Sequence, residues 1–425
     1  MPRTLRATLA GTALLGVGFA LGACGRGPVA APDARGACYD RCARHESEWY
    51  LACKMKCDDL ARAPALGDPR APNAAPLLAP GAGSATLAGV LAKPAVVDLA
   101  AGGDTTCAVT SDGLVRCWGD NDLGQIGGKR RESTRPAAVL GVRDAVQVSV
   151  GAAHVCARTK DGGAICWGSN YSGELGVGDL NPREGPQKVP GLANVTQIAA
   201  GFATCALLAD GTVTCWGDYD PGAGDPRSIG SQAPVAVPGV AKAVEVAVGG
   251  SISCARLQSG AVSCWRHISP GLVPRGKVRA DPYAVRVTDA ARIALDARGA
   301  AVTTAGTVKC WGDWGACAFD LARDGQGPQD WAATYAVPKL DHVAEVATSA
   351  DLACARLTTG AVVCEESGKK GRRDVGVAGA RKLVVGADHA CALLATEVVC
   401  WGRNDHGQLG DGTTKDRPDP RPVAF

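Results

Sequence analysis

The chain has 425 residues, with 46% hydrophobic residues, 56 Gly, 25 Pro, 19 Cys and 9 Trp. This composition excludes both a mainly disordered chain and a protein with many membrane-spanning segments. The 45 Lys and Arg residues nearly balance the 42 Asp and Glu residues, which argues against a protein that binds nucleic acid by neutralising phosphates. The high cysteine count indicates an oxidising compartment.

Residues 1–23 are predicted to be an export signal, because two arginines precede an uncharged apolar run at 9–21. That run is shorter than the roughly 20 apolar residues of a permanent membrane span. The Leu-Gly-Ala-Cys sequence at 21–24 resembles a bacterial lipobox, which implies a lipoprotein cleaved before Cys24 and acylated there, as with palmitate. An ordinary signal peptide that contains a cysteine is the alternative. By the same resemblance, Gly25 favours the outer membrane, with a periplasmic or a surface location left open.

Residues 24–37 would form a lipidated N-terminal tether, and residues 38–60 contain two C-x3-C pairs without an intervening Gly or Pro, which predicts helix. A helical hairpin would allow Cys38–Cys57 and Cys42–Cys53 disulfides and would resemble small disulfide-bonded proteins of oxidising compartments. One continuous helix would instead place all four cysteines on one stripe and favour a disulfide-linked dimer. A four-thiolate metal site is the third alternative.

Residues 61–89 form a predicted linker rich in Pro and Ala. Its five prolines resist helix and strand and favour an extended, semi-rigid chain.

Residues 90–425 contain seven units of about 48 residues, which is typical of a repeat architecture. The clearest unit has Cys107, Asp112-Gly113 and Cys117-Trp118-Gly119. Within each unit the pattern predicts antiparallel strands, and alternation places Val146, Val148 and Val150 on one buried face.

The cysteines of most units lie ten residues apart, which predicts a hairpin with a three-residue loop such as Ser111-Asp112-Gly113, its glycine left-handed. This register places the cysteines opposite each other and predicts disulfides within the units. The seventh unit has a spacing of nine, so its turn shortens to Ala395-Thr396, which is poor chemistry for a two-residue turn. The predicted pairs are Cys107–Cys117, Cys156–Cys166, Cys205–Cys215, Cys254–Cys264, Cys354–Cys364 and Cys391–Cys400.

In the fifth unit Ala300 replaces the first cysteine, and Cys317 is the predicted partner of Cys310. With two bridges in residues 38–60 and a lipid on Cys24, all 19 cysteines are then used. No thiol remains for a nucleophile or a metal site.

The sequence from Trp401 to Thr413 resembles the signature of regulator-of-chromosome-condensation repeats, which recurs at 118–127 and 167–176. The fourth to sixth units have lost its Gly-Gln-Leu-Gly stretch. The resemblance implies an all-β, seven-bladed propeller over residues 90–425, with the chain end at 422–425 beside strands near 95–97. The eukaryotic namesake is an exchange factor for the Ran GTPase that binds chromatin. Guanine-nucleotide exchange is the least favoured function for an exported, near-neutral chain.

Two residue types that often carry function have structural interpretations here. One tryptophan recurs at the same repeat position in six units, which favours packing between blades: Trp118, Trp167, Trp216, Trp265, Trp311 and Trp401. His154 and His389 also share one repeat position, which favours a hydrogen-bonded structural role. The chain has no P-loop, Gly-x-Ser-x-Gly or His-Glu-x-x-His motif. We therefore expect no catalytic residue, metal site or cofactor.

The sequence thus predicts a non-enzymatic envelope scaffold that binds another envelope or extracellular protein through loops on one propeller face. Irregular segments at 269–290 and 319–335 are the expected interface, with Trp314, Trp331 and Tyr335 as aromatic anchors. A module that binds cell wall or polysaccharide is the alternative, and an enzyme is less favoured.

Overall fold

The structure is a computed structural model that describes residues 94–219, 230–250, 252–266, 282–296, 298–312, 332–366, 369 and 371–425. Two compact units divide the chain, Met1–Thr86 and Leu87–Phe425, and the described residues all belong to the second. The export signal, Cys24, the segment with Cys38, Cys42, Cys53 and Cys57, and the whole linker at 61–89 lie outside the described residues. No helix in the described part is long and apolar enough to span a bilayer.

The described residues form 28 strands in seven four-stranded antiparallel sheets, each built from consecutive strands. Blade 1 contains β1 (Val96–Gly102), β2 (Thr105–Thr110), β3 (Val115–Asp120) and β4 (Glu132–Ala138); blade 2 contains β5 (Ala145–Val150), β6 (His154–Thr159), β7 (Ala164–Gly168) and β8 (Arg183–Lys188). Blade 3 contains β9 (Val195–Ala200), β10 (Ala203–Leu208), β11 (Val213–Gly217) and β12 (Ser231–Ala236).

Blade 4 contains β13 (Ala243–Val248), β14 (Ile252–Leu257), β15 (Val262–Arg266) and β16 (Tyr283–Val285); blade 5 contains β17 (Ala290–Leu295), β18 (Gly299–Thr303), β19 (Val308–Trp311) and β20 (Tyr335–Ala336). Blade 6 contains β21 (Val343–Thr348), β22 (Leu352–Leu357), β23 (Val362–Glu366) and β24 (Arg373–Asp374); blade 7 contains β25 (Lys382–Val385), β26 (His389–Leu393), β27 (Val398–Gly402) and β28 (Arg417–Pro422). The predicted seven-bladed all-β propeller is confirmed.

The ring closes where blade 7 meets blade 1. The first strands of successive blades are neighbours around the ring, and β25 completes it beside β1. No described strand of blade 7 pairs with blade 1. One main-chain bond joins the two blades, from the Ala387 N–H to the Gly103 carbonyl at 2.8 Å. Side chains add to it: Phe425 packs edge-on against Trp118 with ring centroids 5.7 Å apart. Val423 and Val96 belong to the same apolar cluster, so the chain end meets the start of β1 by packing alone.

The apolar cores lie between adjacent blades, which explains the periodic tryptophans. One such cluster joins Val109 and Val139 of blade 1 to Val148 and Trp167 of blade 2. All six repeated tryptophans are at most 2% exposed, and their predicted packing role is confirmed.

Six disulfides lie within the blades, at the pairs predicted by the ten- and nine-residue spacings. Their cysteines are directly opposite on neighbouring strands, with Cα atoms 4.0–4.1 Å apart. Cys310 is also disulfide-bonded. Its predicted partner, Cys317, lies outside the described residues.

The hairpin loops have the predicted lengths. In blade 1 Gly113 has a φ of 76°, and the Thr110 N–H donates to the Leu114 carbonyl at 2.9 Å across a three-residue loop. In blade 7 the Leu394 N–H donates to the Glu397 carbonyl at 2.8 Å.

The Ala395-Thr396 turn therefore exists, although neither residue has a positive φ. Arg381 supports it from outside: its guanidinium donates to the carbonyls of Leu394 and Ala395 at 3.2 and 3.3 Å. A side chain from the preceding connection thus compensates for weak turn chemistry.

The predicted buried face of β5 is wrong at one residue. Val148 and Val150 are buried, but Val146 is 37% exposed. The pairing of β5 with β6 shifts between Ala145 and Gln147, and this irregularity breaks the strict alternation of strand faces. Val97 and Val244 occupy the same position in their blades and are exposed as well.

Polar side chains join the inner strands of neighbouring blades. The Gln197 side chain accepts a hydrogen bond from the Val246 N–H and donates to the Val246 carbonyl, both at 2.9 Å. Gln147 makes the same pair of bonds to Ile198 at 2.9 and 3.1 Å. Each inner strand is a sheet edge whose main-chain groups need partners, and the preceding blade supplies them.

Other residue types serve at the same strand position. Asp98 accepts from the Val148 N–H at 2.9 Å, and Glu345 accepts from the Leu383 N–H at 3.0 Å. Lys382 of blade 7 forms an ion pair with Asp98 of blade 1, where the ring closes. Glu245 and Arg292 stand at the same position of β13 and β17. We name the residues at this position the polar belt: Asp98, Gln147, Gln197, Glu245, Arg292, Glu345 and Lys382.

Replacing one belt residue tests its contribution to the ring. We expect Gln197→Leu to lower the free energy of unfolding by about 1–3 kcal/mol, because two partly buried main-chain groups of Val246 lose their partner. Gln187→Leu is the control, since Gln187 lies exposed on an outer strand, and should change stability by less than about 0.5 kcal/mol. Urea denaturation followed by circular dichroism measures both; equal effects would contradict the belt's role.

Candidate protein-binding face

The antiparallel order gives the propeller two unlike ends. Connections from first to second strand and from third to fourth strand leave each blade at one end, which we name the upper face. The hairpins with the three-residue loops and the blade-to-blade connections lie at the opposite end, the lower face. The third-to-fourth connections vary most, from 367–372 in blade 6 to 312–334 in blade 5.

Three blades carry an ordered loop on the upper face, which we name the capping loop: residues 121–131, 170–182 and 404–416. A buried asparagine organises each one. In blade 7 the Asn404 side-chain oxygen accepts from the Leu409 N–H at 2.9 Å, and its nitrogen donates to the Thr413 and Lys415 carbonyls at 3.0 Å. Asn121 and Asn170 repeat this arrangement. Sequence reasoning missed this role, although the asparagine stands in all three copies of the motif.

Each capping loop supplies a carbonyl to the tryptophan of the following blade. The indole N–H of Trp216 donates to the Glu174 carbonyl at 2.8 Å, and Trp167 does so to Gln125 at 2.8 Å. Trp118 donates to Gln408 at 2.9 Å across the ring closure. A Cβ on Gly176 would stand 2.7 Å from the Trp216 indole nitrogen, so glycine is required for this close approach.

At the other tryptophans no bond of this kind is formed among the described residues. The indole nitrogens of Trp265, Trp311 and Trp401 are buried and have no hydrogen-bond partner in the described part of the chain. Trp311 differs from the other two, because its indole lies across Gly299 on the adjacent strand. In blade 6 Glu365 replaces the tryptophan and lies 3.5 Å from the Arg372 guanidinium. The motif therefore seals three blade junctions, from blade 7 to blade 3, and no such bond joins described residues at the others.

The two repeated histidines extend the sealed junctions. His389 Nε2 lies 2.8 Å from the Thr106 hydroxyl, which donates to the Gln408 carbonyl at 3.0 Å. His154, Thr204 and Glu174 repeat the arrangement at 2.8 and 2.9 Å. Because each threonine gives its proton to the carbonyl, its oxygen accepts the histidine N–H. The predicted hydrogen-bonded structural role of both histidines is confirmed.

Charged residues gather on the upper face where blades 7 and 1 meet. Arg403 pairs with Asp388 at 3.2 Å and with Asp405 at 2.6 Å. Burial raises the pKa of Asp104, against the opposing effect of the nearby His406 and Arg403 charges. No group of three or more His, Cys, Asp or Glu residues in the described ranges has the arrangement of a metal site. This part of the face offers charge and hydrogen bonds.

The predicted aromatic anchors are only partly described. Trp314 and Trp331 lie outside the described residues. Tyr335 is the first residue of β20, pairs with Cys310 and is half-buried, with its hydroxyl enclosed and unpaired among described groups. The expected loops at 269–290 and 319–335 are also shorter than predicted, because the first includes strand β16 and the second ends in β20.

Comparison with known sequences supports the repeat assignment. Two models of the regulator of chromosome condensation repeat match the chain, one at residues 96–125, 145–174 and 380–408, the other at 112–158, 161–208 and 397–425. The ultraviolet-B receptor UVR8 of Arabidopsis thaliana is 46% identical over 48 residues, which is 10% of this chain and 11% of that receptor. The chain therefore contains these repeats, and they are clearest in the blades with capping loops.

Comparison with solved structures supports the propeller fold. Prp20p from Saccharomyces cerevisiae matches with a TM-score of 0.62 and 19% identity, over 75% of this chain and 87% of that one. The same yeast protein bound to Kap60 gives 0.61 and 19%, over 84% and 91%. Human WBSCR16 gives 0.62 and 17%, over 73% and 94%. At these identities the likeness establishes the architecture.

Two phenylalanine substitutions test the capping bond. Trp216→Phe removes a satisfied hydrogen bond, whereas Trp265→Phe removes a buried donor that has no described acceptor. Both variants lose similar ring area, so we expect Trp216→Phe to cost about 1–2 kcal/mol more free energy of unfolding. Thermal and urea denaturation followed by circular dichroism give the difference. Indistinguishable losses would show that the capping bond adds nothing.

Acid should weaken the sealed junctions. Burial lowers the pKa of His154 and His389 to about 4, so both are neutral in the folded chain at pH 7. The unfolded chain takes up protons on these histidines below about pH 6.5. The stabilisation of the folded chain by the neutral histidines is therefore complete above that pH and is lost as the pH falls towards 4. At pH 5 the loss in the free energy of unfolding is about 2 kcal/mol per histidine.

Non-titrating variants isolate this effect. The melting temperature of a His154→Gln, His389→Gln double variant should fall less between pH 7 and pH 5 than that of the parent. His342→Asn is the matched control, because His342 is exposed and its φ of 57° suits asparagine. A parallel fall in all three proteins would refute a role for the buried histidines.

Proposed function

We propose that this protein is a non-enzymatic, lipid-anchored scaffold of the cell envelope that binds another protein through its upper-face connections. One observation carries the proposal: the most divergent connections of the propeller belong to one end of a ring that is otherwise regular. Binding residues are commonly found on irregular loops held by a rigid scaffold. The lower-face hairpins, by contrast, keep nearly the same length in every blade.

The ring is built to hold such loops in fixed positions. The described disulfides each join the second and third strands of one blade at the middle of their pairing. The polar belt and the capping loops then fix neighbouring blades to one another. A partner meets a surface that loses little conformational freedom on binding, which favours affinity.

The residue chemistry supports binding over catalysis. The cysteines of the described blades are disulfide-bonded, and the two repeated histidines are enclosed and hydrogen-bonded to threonine. These groups are therefore not available as nucleophiles or as general bases. Protein binding by this fold has a precedent, since yeast Prp20p binds Gsp1p and histones. Those partners are not carried over to this chain.

The compartment is proposed from the cysteines and the export signal together. Buried disulfides within the blades suit an oxidising compartment. The lipobox-like residues at 21–24 supply the anchor on Cys24, and Gly25 favours the outer membrane. The Pro-rich linker would then hold the binding unit away from the bilayer.

Site-specific photocrosslinking in the native envelope tests the proposal. A photoreactive amino acid would replace Lys129 or Lys369 on the upper face, and Leu140 or Lys160 on the lower face, in the full-length chain. All four positions are exposed. We expect one protein to crosslink from an upper-face position and none from the lower face.

The other outcomes have defined meanings. A protein adduct from the lower face alone would contradict the proposed face. Enrichment of glycan without any protein adduct would favour a cell-wall or polysaccharide binder instead. A variant lacking residues 319–331 keeps Cys317 and β20, and loss of the adduct in that variant would place the interface at blade 5.

A further inference from the structure

One of the three capping loops carries a carboxyl group at a position where the other two carry an amide. Glu174 follows the buried asparagine of its loop by four residues, and Gln125 and Gln408 do so in theirs. In every loop one side-chain oxygen of this residue accepts the N–H of the residue two positions earlier, at 2.9 Å. Glu174 is 8% exposed, so a glutamate occupies the buried place of a glutamine.

The second polar atom of this side chain has different partners in the different loops. In blade 1 the Gln125 Nε2 donates to the Asp120 carboxylate at 3.0 Å, and in blade 7 the equivalent amide also donates to aspartate. In blade 2 Ser169 replaces Asp120, and its hydroxyl lies 3.4 Å from Glu174 Oε1. A protonated carboxyl offers a donor and an acceptor, as an amide does, whereas an ionised carboxyl offers acceptors only. Protonated Glu174 therefore matches the hydrogen-bonding pattern of this place.

The surroundings of Glu174 are closely packed and largely uncharged. A Cβ on Gly217 of β11 would stand 3.1 Å from the Glu174 Cα atom and 3.4 Å from its Cγ atom. The loop also lies against Ser231 and Gln232 of the uncharged strand β12. The nearby charged and titratable groups are Asp218, which follows Gly217 and has partners of its own, His154, which lies behind the Thr204 hydroxyl, and the ion pair of Asp179 with Arg183 on the loop itself.

We propose that Glu174 makes the capping loop at 170–182 sensitive to pH: the loop is closed while this carboxyl is protonated and opens more often once it ionises. The Glu174 carbonyl accepts the Trp216 indole N–H at 2.8 Å and the Thr204 hydroxyl at 2.9 Å. Opening of the loop thus releases one blade junction and part of the upper face. The inference goes beyond the proposed binding function and does not depend on it.

The direction of the pH effect follows from burial. Burial raises the pKa of Glu174 above its ordinary value of 4.5, against the hydrogen bonds that the carboxyl accepts from main-chain N–H groups and from Ser169. The closed loop therefore keeps a proton that the open loop has released. Closure is fully favoured below about pH 4.5 and weakens as the pH rises towards the raised pKa. This effect is opposite in sign to that of the buried histidines.

Hydrogen exchange of the Trp216 indole reports opening of the loop, because its N–H is bonded to the Glu174 carbonyl. The full-length protein, labelled with ¹⁵N on its tryptophan indoles, would be transferred into D₂O at pH values from 5 to 8. Trp118 is the internal reference, since it donates to Gln408 at a junction with the same histidine–threonine pair. We expect the ratio of the Trp216 to the Trp118 exchange rate to rise with pH, by up to about tenfold per pH unit until Glu174 ionises in the closed loop.

The variant Glu174→Gln gives blade 2 the amide of the other loops and removes the titrating group. Its exchange ratio should stay constant within about twofold over the same pH range. Gln125→Glu is the converse variant: it places a carboxyl beside Asp120 and should make exchange of Trp167, the donor to Gln125, depend on pH. A constant ratio in the parent, or an equal rise in Glu174→Gln, would overturn the inference.

Melting temperatures give a second, independent readout. Glu174→Gln should melt at least about 2 °C above the parent at pH 8, and within about 1 °C of it at pH 4.5. The titration of the histidines is common to both proteins and cancels in this difference. A merely structural role for Glu174 predicts the same difference at both pH values, and that result would contradict the inference.

Discussion

The open edge of each inner strand is the constraint on which the ring depends. A four-stranded sheet leaves main-chain N–H and C=O groups unpaired along its first strand, and burial without partners is costly. The polar belt answers this need by letting one blade's side chain pair with the next blade's backbone, as Gln197 does with Val246. A glutamine, whose amide mimics a peptide group, satisfies both a donor and an acceptor at once. Neighbouring blades are thereby joined without any shared strand.

The junctions between blades are not equivalent. Those from blade 7 through blade 3 combine a capping loop, a bonded indole N–H and, at two of them, a histidine–threonine pair. The remaining junctions keep the apolar core but lack these polar bonds among the described residues. The polar bonds between described residues are thus concentrated in one arc of the ring, and the longest third-to-fourth connection, 312–334 in blade 5, lies outside that arc.

The six described disulfides stabilise individual blades and not the junctions between blades. Each of the six described bonds lies inside one hairpin, so none of them joins two blades. They limit the freedom of the unfolded chain locally. Between described residues the blades are held together by non-covalent contacts, including that of Phe425 with Trp118 across the closure. A covalently reinforced blade within a non-covalent ring suits a compartment where unfolding is not reversed by ATP-driven chaperones.

The sequence by itself determined the number of blades, the hairpin registers, the cysteine pairs and the packing of the tryptophans, because each recurs at a fixed spacing and arises within one unit. Only the tertiary structure decided which residues meet between units. The polar belt is built from different residue types, so no repeated letter marks it, and Thr106 meets His389 from 283 residues away. The exposure of Val146 depends on a local strand irregularity. Contacts between blades are therefore decided by neighbours in space, about which the spacing within a repeat carries no information.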